Sequence, residues 1–274
     1  MFSFCRRSSA LTDSLCKMST VSLQRLEGLP GRRNDVLTVG EADRCTKLLV
    51  YFGGDVQDLE SVMEAHRDNR RYSEWSLERT ASLLYRAQPG DSLVVVVRPA
   101  RMERGSFSCF DNFVPSNSVG SPEHCDDHGA LRHLSLLLHQ LQSPPGPVCL
   151  VGFSKGVVVL NQLVRELSSQ KKSDLTLHRL VWLDGGHNGG KDIWLTDRAL
   201  LQTVVDLDIQ VDVRVTPYQV SNPNRPWIGK EEKVFRNLLT RLGARVKRSL
   251  YYGEETASIE NHFRVIESLL TDPL

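Results

Sequence analysis

Residues 148–167 constrain this chain more than any other segment. Val148-Cys149-Leu150-Val151 is a short, continuously apolar run, and Gly152-Phe153-Ser154-Lys155-Gly156 follows at once. A helical pattern opens behind it, with Val157, Leu160, Val164 and Leu167 on one face and Asn161, Gln162, Arg165 and Glu166 on the other. A buried strand that passes into a helix through two glycines makes a sharp turn, and that turn lifts a serine hydroxyl above the edge of a sheet. The helix start directs free backbone amides and the positive end of its dipole to the same place. The five-residue pattern recurs by chance; the strand before it and the helix after it give it force.

The same alternation runs along the rest of the chain. Residues 47–52, 93–97, 179–183, 209–215 and 245–252 read as strands, several of them apolar throughout, as strands buried on both faces of a parallel sheet are. Helical patterns lie between them. Asp55 is placed to cap one carrying Val56, Leu59 and Met63, and Ser76 starts another with Leu77, Ala81 and Leu84. Residues 130–141 set Leu131, Leu134, Leu138 and Leu141 in a stripe, with His133 and His139 expected on the solvated side. Residues 230–242 end at Gly243, a natural C-cap, and a last helix runs through Phe263, Ile266 and Leu270. Residues 100–129 and 216–229 read as irregular excursions, long enough to serve as lid or binding segments. The expected fold class is therefore α/β: a single α/β-hydrolase-like domain with a mostly parallel central sheet and helices on both faces.

Composition narrows the function classes. Thirty-four basic and 33 acidic residues leave a net charge of +1, which offers no electrostatic footprint for nucleic acid. No apolar run approaches the roughly 18 residues that span a bilayer, so no transmembrane segment is expected. The six cysteines are scattered without a C-x-x-C pair, which suits a reducing interior better than a disulfide framework. The first twenty residues carry Arg6, Arg7 and Lys17, many hydroxyl residues and one acid, Asp13, a composition closer to a mitochondrial leader than to a secretory one. Residues 1–40 are expected to be a transit peptide or disordered segment, and residues 41–274 the folded domain.

A serine hydrolase of this fold needs an acid and a histidine after its nucleophile, in that order. With Ser154 as nucleophile, His262 follows the final strand and is the expected general base. Ser258 could instead cap a helix that leaves this imidazole on an ordinary first turn. Asp184, at the end of residues 179–183, is the expected acid, because strand ends are where sites form in open α/β sheets. The more usual acid position lies one strand later, where Thr216-Pro217-Tyr218-Gln219-Val220 offers no carboxylate. The oxyanion hole would draw on the Lys155 N–H and on the loop of Gly53 and Gly54. Residues 123–128 hold several metal-ligand types but lack a distant second pair, so neither a metal nor a cofactor is expected. His187 reads as a polar loop histidine within reach of the pocket.

Several segments together resemble one eukaryotic family, whose human member is named for chromosome 2 open reading frame 69. They are Phe107-Ser108-Cys109 with Asp111-Asn112-Phe113-Val114, residues 152–156 with 158–163, and residues 182–187, 216–220, 227–231 and 259–265. The resemblance covers residues 45–268 and implies an α/β-hydrolase-like fold, a mitochondrial matrix location and a role in supporting mitochondrial energy metabolism. It supplies no substrate. Two functions follow as expectations: a serine hydrolase acting on a small ester, thioester or lipid acyl group, or a catalytically silent protein of this fold that works as a mitochondrial binding partner.

Overall fold

The computed structural model describes residues 20–88, 90–142, 146–170 and 173–274. The first nineteen residues, on which the leader composition falls, lie outside the described residues. Among the described residues ten strands are present: β1 (Ser22–Glu27), β2 (Arg33–Val39), β3 (Lys47–Phe52), β4 (Ser92–Val97), β5 (Arg101–Glu103), β6 (Phe107–Cys109), β7 (Val148–Phe153), β8 (Leu177–Leu183), β9 (Gln210–Val215) and β10 (Val246–Leu250). Eight form one sheet in the order β1-β2-β4-β3-β7-β8-β9-β10, while β5 and β6 make a separate hairpin. From β4 across to β10 every neighbour is parallel, and β1 and β2 close one edge antiparallel.

The helices are α1 (Glu60–Ala65), α2 (Leu77–Arg86), α3 (Ala130–Gln140), α4 (Val157–Gln170), α5 (Arg198–Asp206), α6 (Pro217–Val220), α7 (Pro226–Leu242), α8 (Ile259–Arg264) and α9 (Ser268–Thr271). Successive strand residues point to opposite faces, so the central strands feed two cores. Val50, Phe52 and Leu150 pack with Leu134, Leu160, Leu201 and Phe235 of α3, α4, α5 and α7. Leu49, Tyr51 and Val151 pack with Leu84 of α2 and Phe263 of α8 on the other side. That double burial is why these strands are apolar throughout. Ser76 caps α2 by accepting from Arg79 N, as expected, and Gly243 ends α7 at φ +84°.

Three expectations are corrected. The domain does not begin at residue 41, because residues 22–39 form β1 and β2 of the sheet. β1 is an edge strand, exposed at its first four residues; it carries Gln, Arg and Glu, and β2 carries Arg, Asn and Asp, so neither shows the apolar run that marks a central strand. His133 is buried, not solvated. Leu29 N donates to its Nδ1 at 3.0 Å, which leaves the proton on Nε2 to reach Asn34 Oδ1 at 2.9 Å. The ring thus ties the β1–β2 turn to α3, and burial, with Arg32 nearby, pushes its pKa down to about 4. Asp55 does not cap α1, whose N-cap is Leu59. The chain turns instead at Val56, with φ +74°, and Asp55 Oδ1 accepts from Ser108 N at 2.8 Å.

Candidate active site

The site assembles at the C-terminal ends of β3, β7, β8 and β9. Two glycines make its central turn possible. A Cβ at Gly156 would lie 2.0 Å from the Phe52 carbonyl oxygen, and one at Gly152 would lie 2.9 Å from the Gly156 backbone. Any larger residue would push β7 away from β3 or unwind the start of α4. Between them Ser154 is held at φ +51°, a conformation rare outside glycine that surrounding structure must impose.

The structure brings Ser154, His262 and Asp184 together. His262 Nε2 lies 3.0 Å from Ser154 Oγ, and His262 Nδ1 lies 2.6 Å from Asp184 Oδ2. With the carboxylate beside it, Nδ1 carries the proton, and the lone pair on Nε2 faces the serine hydroxyl. Ser258 does cap α8, accepting from Asn261 N at 3.1 Å. The cap and the contact with Ser154 coexist, because the helix is short and enters the site through His262. The imidazole is gripped between rings, with Phe153 at 4.7 Å and Tyr218 at 4.9 Å between centroids.

Asp184 sits at φ +47°, fully buried. Thr216 N donates to its Oδ1 and Thr216 Oγ1 to its Oδ2, each at 2.6 Å. Thr216 directly follows β9, the place where the sequence offers no carboxylate. There it supplies two donors to the acid of the neighbouring strand.

The oxyanion loop is only partly as expected. Lys155 N–H lies in the first turn after the strand, where backbone amides have no intrahelical acceptor. Gly54 packs directly on Ser154, since a Cβ there would meet Ser154 Cβ at 2.5 Å. Its N–H, however, donates to Gln57 Oε1 at 3.0 Å and is already committed. Gly53 turns its open side to Gln57 and Leu77 and away from the serine. Gly54, as placed, offers no free amide to an oxyanion. The Asp55 N–H, next along the loop, makes no hydrogen bond among the described residues.

Ser154 and His262 open into a cavity of about 450 Å³, walled by Phe107, Tyr218 and Trp227 and by the polar residues Asp55, His187 and Arg225. A larger hollow, of about 620 Å³, lies at residues such as Leu131, Leu177 and Ile209, away from Ser154 and His262.

Comparison with known proteins bears on this arrangement. The family model described as C2orf69 matches residues 22–144 and 147–245. The chain belongs to the C2orf69 family. The zebrafish (Danio rerio) relative, named mitochondrial protein C2orf69 homolog, is 40% identical across 91% of this chain and 86% of its own length. The human relative, named mitochondrial protein C2orf69, is 36% identical across 80% of this chain and 73% of its own. Among solved structures, an acylaminoacyl peptidase of Pyrococcus horikoshii superposes with a TM-score of 0.53 at 11% identity, over 94% of this chain and 41% of that one. Esterase Est22 superposes at 0.53 and 15% identity, over 93% and 79%. At such identities the likeness establishes the α/β-hydrolase fold and nothing finer.

Sequence reasoning missed two groups beside the serine. The Lys155 side chain is buried, and its Nζ lies 3.7 Å from Asp55 Oδ1. Burial raises the pKa of Asp55 against the opposing pull of Lys155. The signal was a charged residue inside the elbow, which a solvated turn would have explained equally well. The His124 and His128 rings of the 123–128 loop are used structurally, with Nε2 atoms 3.1 Å from Val158 O and 2.9 Å from Asp111 O. Among the described residues no group of three or more His, Cys, Asp or Glu is arranged around a metal position. No described helix is long and apolar enough to cross a membrane.

Proposed function

We propose that this chain is a serine hydrolase that cleaves a small ester, thioester or lipid acyl group, with Ser154 as nucleophile, His262 as general base and Asp184 as orienting acid. The observation that carries the reading is the pair of hydrogen bonds joining residues 108 and 78 positions apart in sequence. Core packing has no need of such a relay. In the reaction Ser154 Oγ bonds to the acyl carbon while its proton passes to His262 Nε2, and the Asp184 carboxylate stabilises the imidazolium. The carbonyl oxygen becomes an oxyanion, received by Lys155 N–H and, in our reading, by Asp55 N–H. Collapse breaks the bond to the leaving group, which takes the proton from His262. Water then repeats the sequence and frees the acid.

We further place the protein in the mitochondrial matrix, its leader confined to the residues before Ser22, where the sheet begins. Support comes from the basic, hydroxyl-rich composition of residues 1–20 and from the names of the relatives.

One observation favours the alternative, a silent fold acting as a mitochondrial binding partner: Gly54 N–H is committed to Gln57, which narrows the oxyanion loop. A fluorophosphonate probe separates the two. A covalent adduct on Ser154, absent in Ser154→Ala protein that remains folded, is the expected result. Folded wild-type protein that takes no label at Ser154 would establish the binding reading.

A further inference from the structure

The proposed reaction needs a carbonyl at Ser154, but the cavity around it is furnished for more than a carbonyl. His187, Gln219 and Trp227 line it, and each holds a buried polar atom with no hydrogen-bond partner among the described residues: Nε2, Oε1 and Nε1. Each of these atoms is closed off from solvent, so it lies within the cavity wall, where a shift of its side chain would bring a polar group to a ligand. Two of the three atoms are donors. His187 Nδ1 accepts from Gly189 N at 2.9 Å, so the proton of the neutral ring is on Nε2, and an indole nitrogen can only donate.

The charges point the same way. Asp55 is the one acid in the cavity wall, and it is already matched by Lys155 Nζ at 3.7 Å and by Ser108 N at 2.8 Å. The Arg225 guanidinium is half-buried and forms no ion pair or side-chain hydrogen bond among the described residues. It rests over the Tyr218 ring at 5.4 Å, and that ring is 4.9 Å from His262, so Tyr218 holds the cation in fixed relation to the base. Arg225 is also the N-cap of the seventeen-residue helix α7, whose positive end adds to the same field.

We infer that the acyl substrate carries a second, acidic group, a carboxylate or a phosphate, held by Arg225 in the cavity wall. This deepens the hydrolase reading and rests on it for the reaction, though not for binding. A planar guanidinium offers paired donors to either kind of anion, and tethering that anion would fix where the carbonyl lies over Ser154.

Three p-nitrophenyl esters of one chain length test it: the neutral hexanoate, the adipate monoester ending in a carboxylate, and ω-phosphooxyhexanoate ending in a phosphate. For wild type, kcat/KM for at least one acidic ester should exceed that for hexanoate about tenfold or more, the scale of a hydrogen bond to a charged group, and the better one identifies the anion. In Arg225→Gln that ratio should fall toward unity, with Arg225→Lys between. A wild-type ratio near one, or one that Arg225→Gln leaves intact, overturns the inference while leaving Ser154-dependent hydrolysis standing. Binding is read separately with folded Ser154→Ala protein. Adipate and hexyl phosphate, but not adipamide, should raise its thermal midpoint, and the Arg225→Gln change should abolish the response. If no ester is hydrolysed in a Ser154-dependent way yet this response appears, the hydrolase reading fails and the anion site stands. If the anions have no effect, the inference fails whatever the kinetics.

Discussion

At the residue scale, the unusual position of the acid has a local cause. Asp184 is buried in a left-handed turn, and its two carboxylate oxygens are divided among Thr216 N, Thr216 Oγ1 and His262 Nδ1. Three donors on one carboxylate fix its orientation. Asp184→Asn preserves the shape but presents the wrong tautomer partner to Nδ1, so the rate of Ser154 labelling should fall by roughly four orders of magnitude. Thr216→Val removes one donor and keeps the backbone amide, and should slow labelling by about tenfold to a hundredfold. Both rates are read by stopped-time labelling of folded protein. His133 and His187 make a different prediction. Burial pushes both pKa values down to about 4 from an ordinary 6.5, so between those limits the unfolded chain binds protons that the folded chain refuses. Stability is therefore complete above about pH 6.5 and lost as pH falls toward 4. Urea midpoints measured at neutral pH and at pH 5 should show the loss, and His133→Gln should flatten it.

At the scale of the element, the elbow is a problem of backbone clearance. Gly156 meets the Phe52 carbonyl and Gly54 meets the Ser154 side chain, but the consequences differ. A methyl at Gly156 strikes backbone in the central pair β3–β7, which cannot yield without breaking the sheet. Gly156→Ala should cost roughly 4 kcal/mol or more, seen as a collapse of the thermal midpoint or as insoluble protein. A methyl at Gly54 strikes Ser154 Cβ, an atom that rotation about χ1 cannot move, so the loop at the strand end must shift and take the serine with it. Gly54→Ala should therefore stay folded by circular dichroism yet lose most Ser154 labelling, because the hydroxyl leaves His262. Equal loss of fold in both variants would contradict this account.

At the scale of the molecule, the N-terminal hairpin belongs to the domain. β2 pairs with β4 along four residues, and the turn before it is pinned by His133. Protein beginning at Thr20 should keep the midpoint of the full chain. Protein beginning at Gly40 should aggregate, since it bares the β4 edge and leaves the His133 Nδ1 and Nε2 without partners. Size-exclusion chromatography and thermal melts of the two distinguish the outcomes.

The sequence by itself was enough for the central strands and for the strand, turn and helix at Ser154. Those features are written locally: strands buried on both faces must be apolar throughout, and a turn without room for a Cβ must be glycine. It was silent where side chains meet from far apart. The β1–β2 hairpin is an edge, so its strands carry polar residues, and His133 lost its apparent solvation only when that edge folded over it. Gln57 is an ordinary amide until tertiary packing delivers it to the Gly54 N–H. Thr216 became the support of Asp184, and Arg225 came to the cavity wall with no ion pair among the described residues, only because parallel strands bring separate loops to one end of the sheet. Local pattern reports what a residue must avoid; only the closed fold reports what it touches.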